Sequence, residues 1–164
     1  MEYEGMESIQ VIYNMFRQRP HELLFPRAKE KGVGIIVRVP LASGLLTGKF
    51  SADSVFGKED HRFFNRKGEA FDKGETFSGV DYEQGLKAVS ELKDIFSEGK
   101  LTLAALRWIL MREEVSCVIT GASRPEQIRQ NVEASDMPAL TEGQMARVKA
   151  VYDKYIKKPV HDLW

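Results

Sequence analysis

The chain has 164 residues, of which 43% are hydrophobic, 29% charged and 10% aromatic. That length predicts one domain around one core, since roughly 100–200 residues per domain is usual. Lys plus Arg number 24 and Asp plus Glu number 24, for a formal net charge of zero; this balance argues against a nucleic-acid or membrane-surface binder, which carries a basic excess or stripe.

No stretch approaches the roughly 18 apolar residues of a spanning helix. The acidic residues 1–7 lack the form of a signal peptide. Cys117 is the single cysteine, so no intramolecular disulfide forms and a reducing compartment is expected. The expectation is a soluble, cytoplasmic, globular protein.

Residues 8–14, SIQVIYN, are β-branched and aromatic and read as a strand that Asn14 ends. Helix formers fill 20–31, with Leu23, Leu24 and Ala28 on one face. Pro26 predicts a late start or a kink, and Gly32 a C-terminal cap. Residues 34–39, GIIVRV, run almost unbroken and apolar up to Pro40, which suits a parallel strand covered on both faces. Residues 41–48 hold Gly44 and Gly48 and predict a loop or a short helical turn.

From Lys49 to Asp81 the periodicity vanishes, in a stretch rich in Gly, Asp, Lys and Phe. A structureless loop of about 30 residues is uncommon inside a compact domain. It is either a surface excursion whose aromatics pack locally or a flap over a ligand. Leu86, Val89, Leu92 and Phe96 then recur at helical spacing over 82–96, closed by Gly99. A second helix over 102–112 is dense in apolar residues, Trp108 and Ile109 among them, and should be largely buried.

Residues 115–120 read as a third strand, with Cys117 a buried and inert thiol. Gly121-Ala122-Ser123-Arg124 is a turn, and Pro125 opens a helix that runs to about residue 134. Thr141 and Gln144 fit a capping box. The last helix follows, with Met145, Val148, Tyr152 and Tyr155 facing inward, and 157–164 reads as an irregular tail. This alternation of strands and helices means α/β with parallel strands.

In such folds ligands bind at the carboxyl ends of the strands. The junctions after the second and third strands are rich in small residues that leave backbone N–H groups accessible, beside helix N-termini that attract anions. Ser43 and Ser123 add hydroxyls. Lys49 and Arg124 add charge, and Arg124 can fork two hydrogen bonds to a phosphate. Gly44 and Gly48 allow close backbone approach. On the residues alone, two readings stay open: a phosphate cradle, or glycines and a capping serine that merely turn the chain.

Gln10-Val11-Ile12-Tyr13-Asn14, then Gly34-Ile35-Ile36 with Pro40-Leu41-Ala42-Ser43-Gly44-Leu45-Leu46-Thr47-Gly48-Lys49, then Val118-Ile119-Thr120-Gly121-Ala122-Ser123-Arg124-Pro125-Glu126-Gln127 closing at Asn131, together resemble the aldo-keto reductases. The three motifs occur in order, each on a predicted strand. The likeness is to the C-terminal half of that family, so the expected fold is a partial (β/α)8 TIM barrel: the last three parallel strands and their covering helices, as one unit over 1–164 with a long loop at 49–81.

The resemblance implies NAD(P)H-dependent reduction of aldehydes or ketones. Carried over by position, Gln10 would hold the nicotinamide carboxamide. Leu41, Ser43 and Gly44 would lie along the pyrophosphate, with Lys49 nearby, and Pro40 is a further cofactor-binding position. Gly121, Ala122, Ser123 and Arg124 would meet the adenosine ribose and its 2′-phosphate, and Gln127, Gln130 and Asn131 the adenine end. Arg124 favours NADP(H) over NAD(H). Arg38 stands where many members carry an aromatic ring that stacks on the nicotinamide; a guanidinium plane can also stack. Val39 removes a hydroxyl often found beside it.

The family's catalytic Asp, Tyr, Lys and His lie in its N-terminal half, on strands this chain does not contain. His21, His61 and His161 read as solvated surface histidines. Tyr13 reads as core, and Tyr82, Tyr152 and Tyr155 as helix packing. No metal-ligand cluster is visible, and no catalytic residue is nominated.

Three functions fit: a reductase whose catalytic half, with its small-molecule carbonyl substrate, is absent from this chain; a non-catalytic NADP(H)-binding or regulatory module; and a truncated, inactive fragment. Under all three, open sheet edges and an apolar barrel face predict a homodimer or higher oligomer.

Overall fold

The computed structural model describes residues 4–96 and 99–163. Three strands, β1 (Ser8–Ile12), β2 (Gly34–Arg38) and β3 (Val115–Val118), form one parallel sheet in the order β1-β2-β3. β1 and β2 pair in unbroken register from Ser8 opposite Gly34 to Ile12 opposite Arg38. The β2–β3 register shifts between Ile35 and Ile36.

The first crossover is α1 (Pro20–Glu30). It starts at Pro20 and runs through Pro26, so the expected late start does not occur; Phe25 and Ala28, both fully buried, hold it to the sheet. Leu23, expected on that buried face, is 60% exposed. Gly32 closes the helix as read, at φ +66, with Gly32 N–H donating to Lys29 O and Val33 N–H to Ala28 O; this 5→2 and 6→1 pair is a Schellman motif.

Between β2 and β3 come a tight turn (Ala42–Thr47), the long 49–81 segment and two helices. The segment is not structureless. It contains α2 (His61–Phe64) and tight turns at Lys73–Glu75 and Phe77–Gly79. Phe50, Phe56, Phe77 and Tyr82 pack ring to ring at 5.1–6.0 Å. The guanidiniums of Arg62 and Arg66 cover Phe56 at 4.8 and 5.4 Å. Asp60 caps α2, accepting from Arg62 N–H, and forms an ion pair with the Arg62 guanidinium at 2.5 Å. These contacts hold the Asp60 carboxyl down at about 2.

α3 (Tyr82–Lys93) and α4 (Leu101–Leu110) bury Val89, Leu92, Ala104 and Ile109 in the core with Ile35 and Val37 of β2. α5 (Pro125–Asp136) follows β3. α6 (Glu142–Val151) opens on the expected Thr141–Gln144 capping box. The chain beyond it is not irregular: a π-helical turn (Tyr152–Ile156), α7 (Lys157–Val160) and a short turn (His161–Leu163) continue it, because Tyr152, Ile156 and Val160 recur four residues apart and are all buried.

The opposite sheet face is open. Gln10, Ile36 and Cys117 are cross-strand partners there; Gln10 and Cys117 are exposed and Ile36 half-buried. Cys117 is therefore not the buried thiol expected of its strand, because it lies on this open face. Ile119, Ile128 and Val132 are 48%, 56% and 60% exposed. No helix among the described residues is long and apolar enough to cross a membrane.

Candidate nucleotide site at the carboxyl ends of the strands

The turn after β2 leaves the sheet through a run of left-handed residues: Val39 (φ 51), Ala42 (φ 48), Ser43 (φ 54), Gly44 (φ 97) and Gly48 (φ 70). A β-branched residue at positive φ is a strained outlier, and such strain persists only where the surroundings over-determine it. Asn14 supplies one constraint. Fully buried at the end of β1, it donates from Nδ2 to Val39 O at 2.9 Å and to Ser78 Oγ at 2.9 Å, and its Oδ1 accepts from Phe16 N–H at 2.8 Å. Ser43 supplies another: its Oγ accepts from Phe77 N–H at 3.0 Å and donates to Glu75 O at 3.3 Å. The return of the long segment, itself left-handed at Phe77 and Ser78, is thus clasped to the ends of β1 and β2.

Arg38 closes the clasp. Its guanidinium donates to both Glu75 carboxylate oxygens, at 2.5 and 2.7 Å. The Arg38 hydrogen bonds hold the Glu75 carboxyl below its ordinary range, and Arg38 is raised in turn. Arg17, nearly buried behind them, is drawn down to about 10 by burial, against the pull of Asp72 and Glu75.

Two clefts open on this frame. The first, about 790 Å³, has the 39–44 turn on one side and Gly121, Ala122, Ser123 and Gln127 on the other; Phe50, His61, Arg62, Phe71 and Glu75 of the long segment form its remaining wall. The aromatics of that segment therefore pack locally, as the first reading of it expects, and the segment also walls a cleft. The second, about 700 Å³, lies between Thr47–Lys49, Lys93, the start of α4, and Gln127, Gln130, Asn131 and Glu133. Leu41, Thr47, Lys49, Gly121 and Gln127 line both, so the clefts are continuous. A separate cleft of about 360 Å³ lies away from the strand ends, between α1, α4 and α6.

Of the residues nominated from sequence, Pro40, Leu41, Ser43, Gly44, Lys49, Gly121, Ala122, Ser123 and Gln127 line the first cleft, and Gln130 and Asn131 the second. Gln10, Arg38 and Arg124 line neither. Gln10 stands exposed on the open sheet face, and Arg38 is turned onto Glu75. Arg124, exposed, is the cap residue before α5, its backbone N–H donating to Gln127 Oε1 at 3.1 Å. The same oxygen accepts from Ser123 N–H at 2.7 Å and Ser123 Oγ at 3.2 Å. The Gln127 amide oxygen thus already occupies two of the N–H groups expected to meet an anion.

Sequence reasoning missed Glu75, Asn14's role as a hub, Lys93, and the placing of His61 on the cleft wall, where its Nδ1 meets Thr76 Oγ1 at 3.2 Å. Asp72 caps the turn before Glu75, accepting from Gly74 N–H at 2.7 Å, but no sequence signal joins Glu75 to a strand end. His161 is not solvated: its ring lies 2.7 Å from the Tyr152 hydroxyl and 3.3 Å from Glu22. Tyr13 is core, as read; burial pushes its phenol up to about 12, away from what a proton donor requires. Among the described residues there is no cluster of side chains suited to a metal ion.

Three parallel strands in the order β1-β2-β3 with clefts at their carboxyl ends are α/β architecture and are consistent with part of a barrel. The aldo/keto reductase family model matches residues 3–153, and the chain belongs to that family. A probable voltage-gated potassium channel subunit beta from Arabidopsis thaliana is 36% identical over 156 residues, covering 90% of this chain and 44% of that protein. L-glyceraldehyde 3-phosphate reductase from Escherichia coli O157:H7 is 31% identical over 143 residues, covering 86% and 38%. The solved structure of the glycerol dehydrogenase AKR11B4 from Gluconobacter oxydans superposes with a TM-score of 0.71 at 25% identity, covering 96% of this chain and 45% of that one. The chain thus spans less than half the length of each.

Proposed function

We propose that this chain is the nucleotide-holding half of an NAD(P)H-dependent aldo-keto reductase acting on a small aldehyde or ketone. The observation that carries the reading is the pair of continuous clefts at the ends of β2 and β3, lined by nine of the residues that the family resemblance assigns to the first and by Gln130 and Asn131 in the second. The donor set suits a dinucleotide: Ser43 and Ser123 hydroxyls, the Lys49 ammonium, and side-chain amides at the far end. Gly44 keeps the turn open, since a Cβ there would lie 2.9 Å from the Phe50 ring.

Bound there, the cofactor would supply the hydride. Leu41, Ser43, Gly44 and Lys49 would hold its pyrophosphate, Gly121–Arg124 the ribose phosphate, and Gln130 with Asn131 the base. Gln10 would orient the carboxamide, and the Arg38 plane, set by Glu75, would back the ring. For Ser123 and Arg124 to donate to a phosphate, the Gln127 amide must swing away, leaving that side chain free for the base. Arg124 beside the cleft favours NADP(H) over NAD(H). The proton donor belongs to the complementary half of the barrel, and without it the isolated chain turns over no carbonyl. The exposed Cys117 suits a reducing, cytoplasmic setting.

Titrating the chain with NADPH and with NADH, read by nicotinamide fluorescence and calorimetry, tests the reading. Saturable binding supports it. No heat with either dinucleotide, and an empty cleft after a crystal soak, would overturn it.

A further inference from the structure

We propose that the separate cleft between α1, α4 and α6 is a second ligand site, taking a small aromatic carboxylate whose anion meets the Arg112 guanidinium and the Trp108 indole N–H. It shares no lining residue with the two clefts at the strand ends, and it stands independently of the dinucleotide reading.

Helical spacing builds the cleft. Trp108 of α4 and Arg112, just past its end, lie four residues apart, as do Met145 and Lys149 of α6, so each pair shares one face. His21 and Glu22 of α1 line the cleft too, and Tyr152, Asp153 and Lys157 come from the chain after α6. Its volume of about 360 Å³ is that of a small-molecule pocket. Trp108 is only 2% exposed. Its indole N–H has no hydrogen-bond partner among the described residues and is not sealed from solvent. A buried indole N–H ordinarily meets an acceptor, and a ligand oxygen in the cleft would serve as one.

Arg112 is the anchor. Its Nε donates to the Tyr13 hydroxyl at 3.1 Å, and its guanidinium lies 5.8 Å from the Trp108 ring centroid, so its plane is set before any ligand arrives. Its terminal amino groups meet no carboxylate among the described residues. The carboxylates of the cleft are engaged elsewhere, Glu22 with His161 at 3.3 Å and Asp153 with Lys149. Burial, and after it Arg112, draws His21 below its ordinary value, so that ring adds no charge at neutral pH. Arg112, Lys149 and Lys157 therefore face two carboxylates, and the balance of the cleft is positive. A guanidinium fork matches a carboxylate through two parallel N–H donors. Trp108, Met145 and Ala146 supply apolar surface for the rest of the ligand, and a thioether packs well against an aromatic ring.

The test follows the indole N–H resonance of Trp108 in the full chain while benzoate, and separately benzamide, is added. The chain has two tryptophans, and Trp164→Phe identifies which resonance belongs to Trp108. Benzoate should shift it saturably. Benzamide, of the same shape but uncharged, should bind about tenfold more weakly, the scale of one charge-assisted contact. Arg112→Gln should bring benzoate down to the affinity of benzamide. Arg112 also holds Tyr13, so if that variant does not fold, the comparison of the two probes on the unaltered chain decides alone. No shift with benzoate, or equal affinity for both probes, overturns the site and leaves the dinucleotide reading untouched.

Discussion

Arg38, the last residue of β2, and Glu75, 37 residues later, form a two-bonded ion pair that joins the sheet to the return of the long segment. Arg38 and Glu75 are 37% and 32% exposed, so the pair contributes only about 0.5–1 kcal/mol. Its effect is local. Glu75→Gln should leave global stability almost unchanged and speed proteolytic cleavage within residues 49–81. The Glu75 carboxyl is held below its ordinary 4.5 by Arg38. A group lowered in the folded state contributes above its unfolded value and loses that contribution as pH falls through the folded one. Hydrogen exchange at 73–79 should therefore rise below about pH 4.5 in the native protein, and Glu75→Gln should show no such acid limb.

Asn14 does more than end a strand. It joins three segments through a fully buried amide, and both acceptors of its Nδ2 belong to or follow strained backbone. Asn14→Ala leaves Val39 O without that donor, at about 1–3 kcal/mol for an unsatisfied buried group. Ser78→Ala removes one acceptor alone and should cost less. Denaturant midpoints for both single variants and the double variant would show coupling, with the double variant less destabilised than the sum. Strict additivity would mean that the two side chains do not act through one another.

What was legible in the sequence was the local part. Unbroken apolar runs gave β2 its place, the glycine after α1 gave its cap, and the Thr141–Gln144 spacing gave α6 its start. The cleft wall at 40–44 and 121–123 followed from small residues beside strand ends. Contacts across long chain separations were not legible, because no periodicity encodes them: Arg38 with Glu75 and Asn14 with Ser78. Exposure failed wherever it depended on the neighbours of a strand. Cys117 reads as buried because its run is apolar; it is exposed because it points to the open face of the sheet. The tail over 157–164 carries too few apolar residues to show a period of its own; Val160 joins the helical stripe only as the continuation of Tyr152 and Ile156.

The exposed flank carries a prediction about association. Ile128 and Val132 lie four residues apart on α5, and Ile119 lies just beyond β3, all about half exposed or more. An unpaired parallel edge flanked by apolar side chains favours self-association. Sedimentation of the isolated chain at tens of micromolar should give a dimer or larger species, and Ile128→Glu with Val132→Lys should shift it toward monomer. A clean monomer of the unaltered chain at high micromolar concentration contradicts the expectation.

The alkaline limb of stability should belong to the core phenols. Tyr13 is fully buried, stacked on Trp108 at 5.0 Å between ring centroids, and accepts at its hydroxyl from Arg112 Nε at 3.1 Å. Burial raises it to about 12, with Arg112 opposing the rise, and burial also raises Tyr152 to about 12. For a group raised in the folded state, the contribution is complete below the unfolded value, here 10.0, and is lost as pH climbs through the folded one. Denaturant midpoints should hold level to about pH 10 and fall between there and 12. Tyr13→Phe removes one ionisation and leaves the Arg112 Nε without this acceptor. It should therefore lower the midpoint at neutral pH while flattening the alkaline fall. If the slope above pH 10 is the same in Tyr13→Phe as in the unaltered chain, Tyr13 is not a source of the limb, and Tyr152→Phe is then the variant that should remove it.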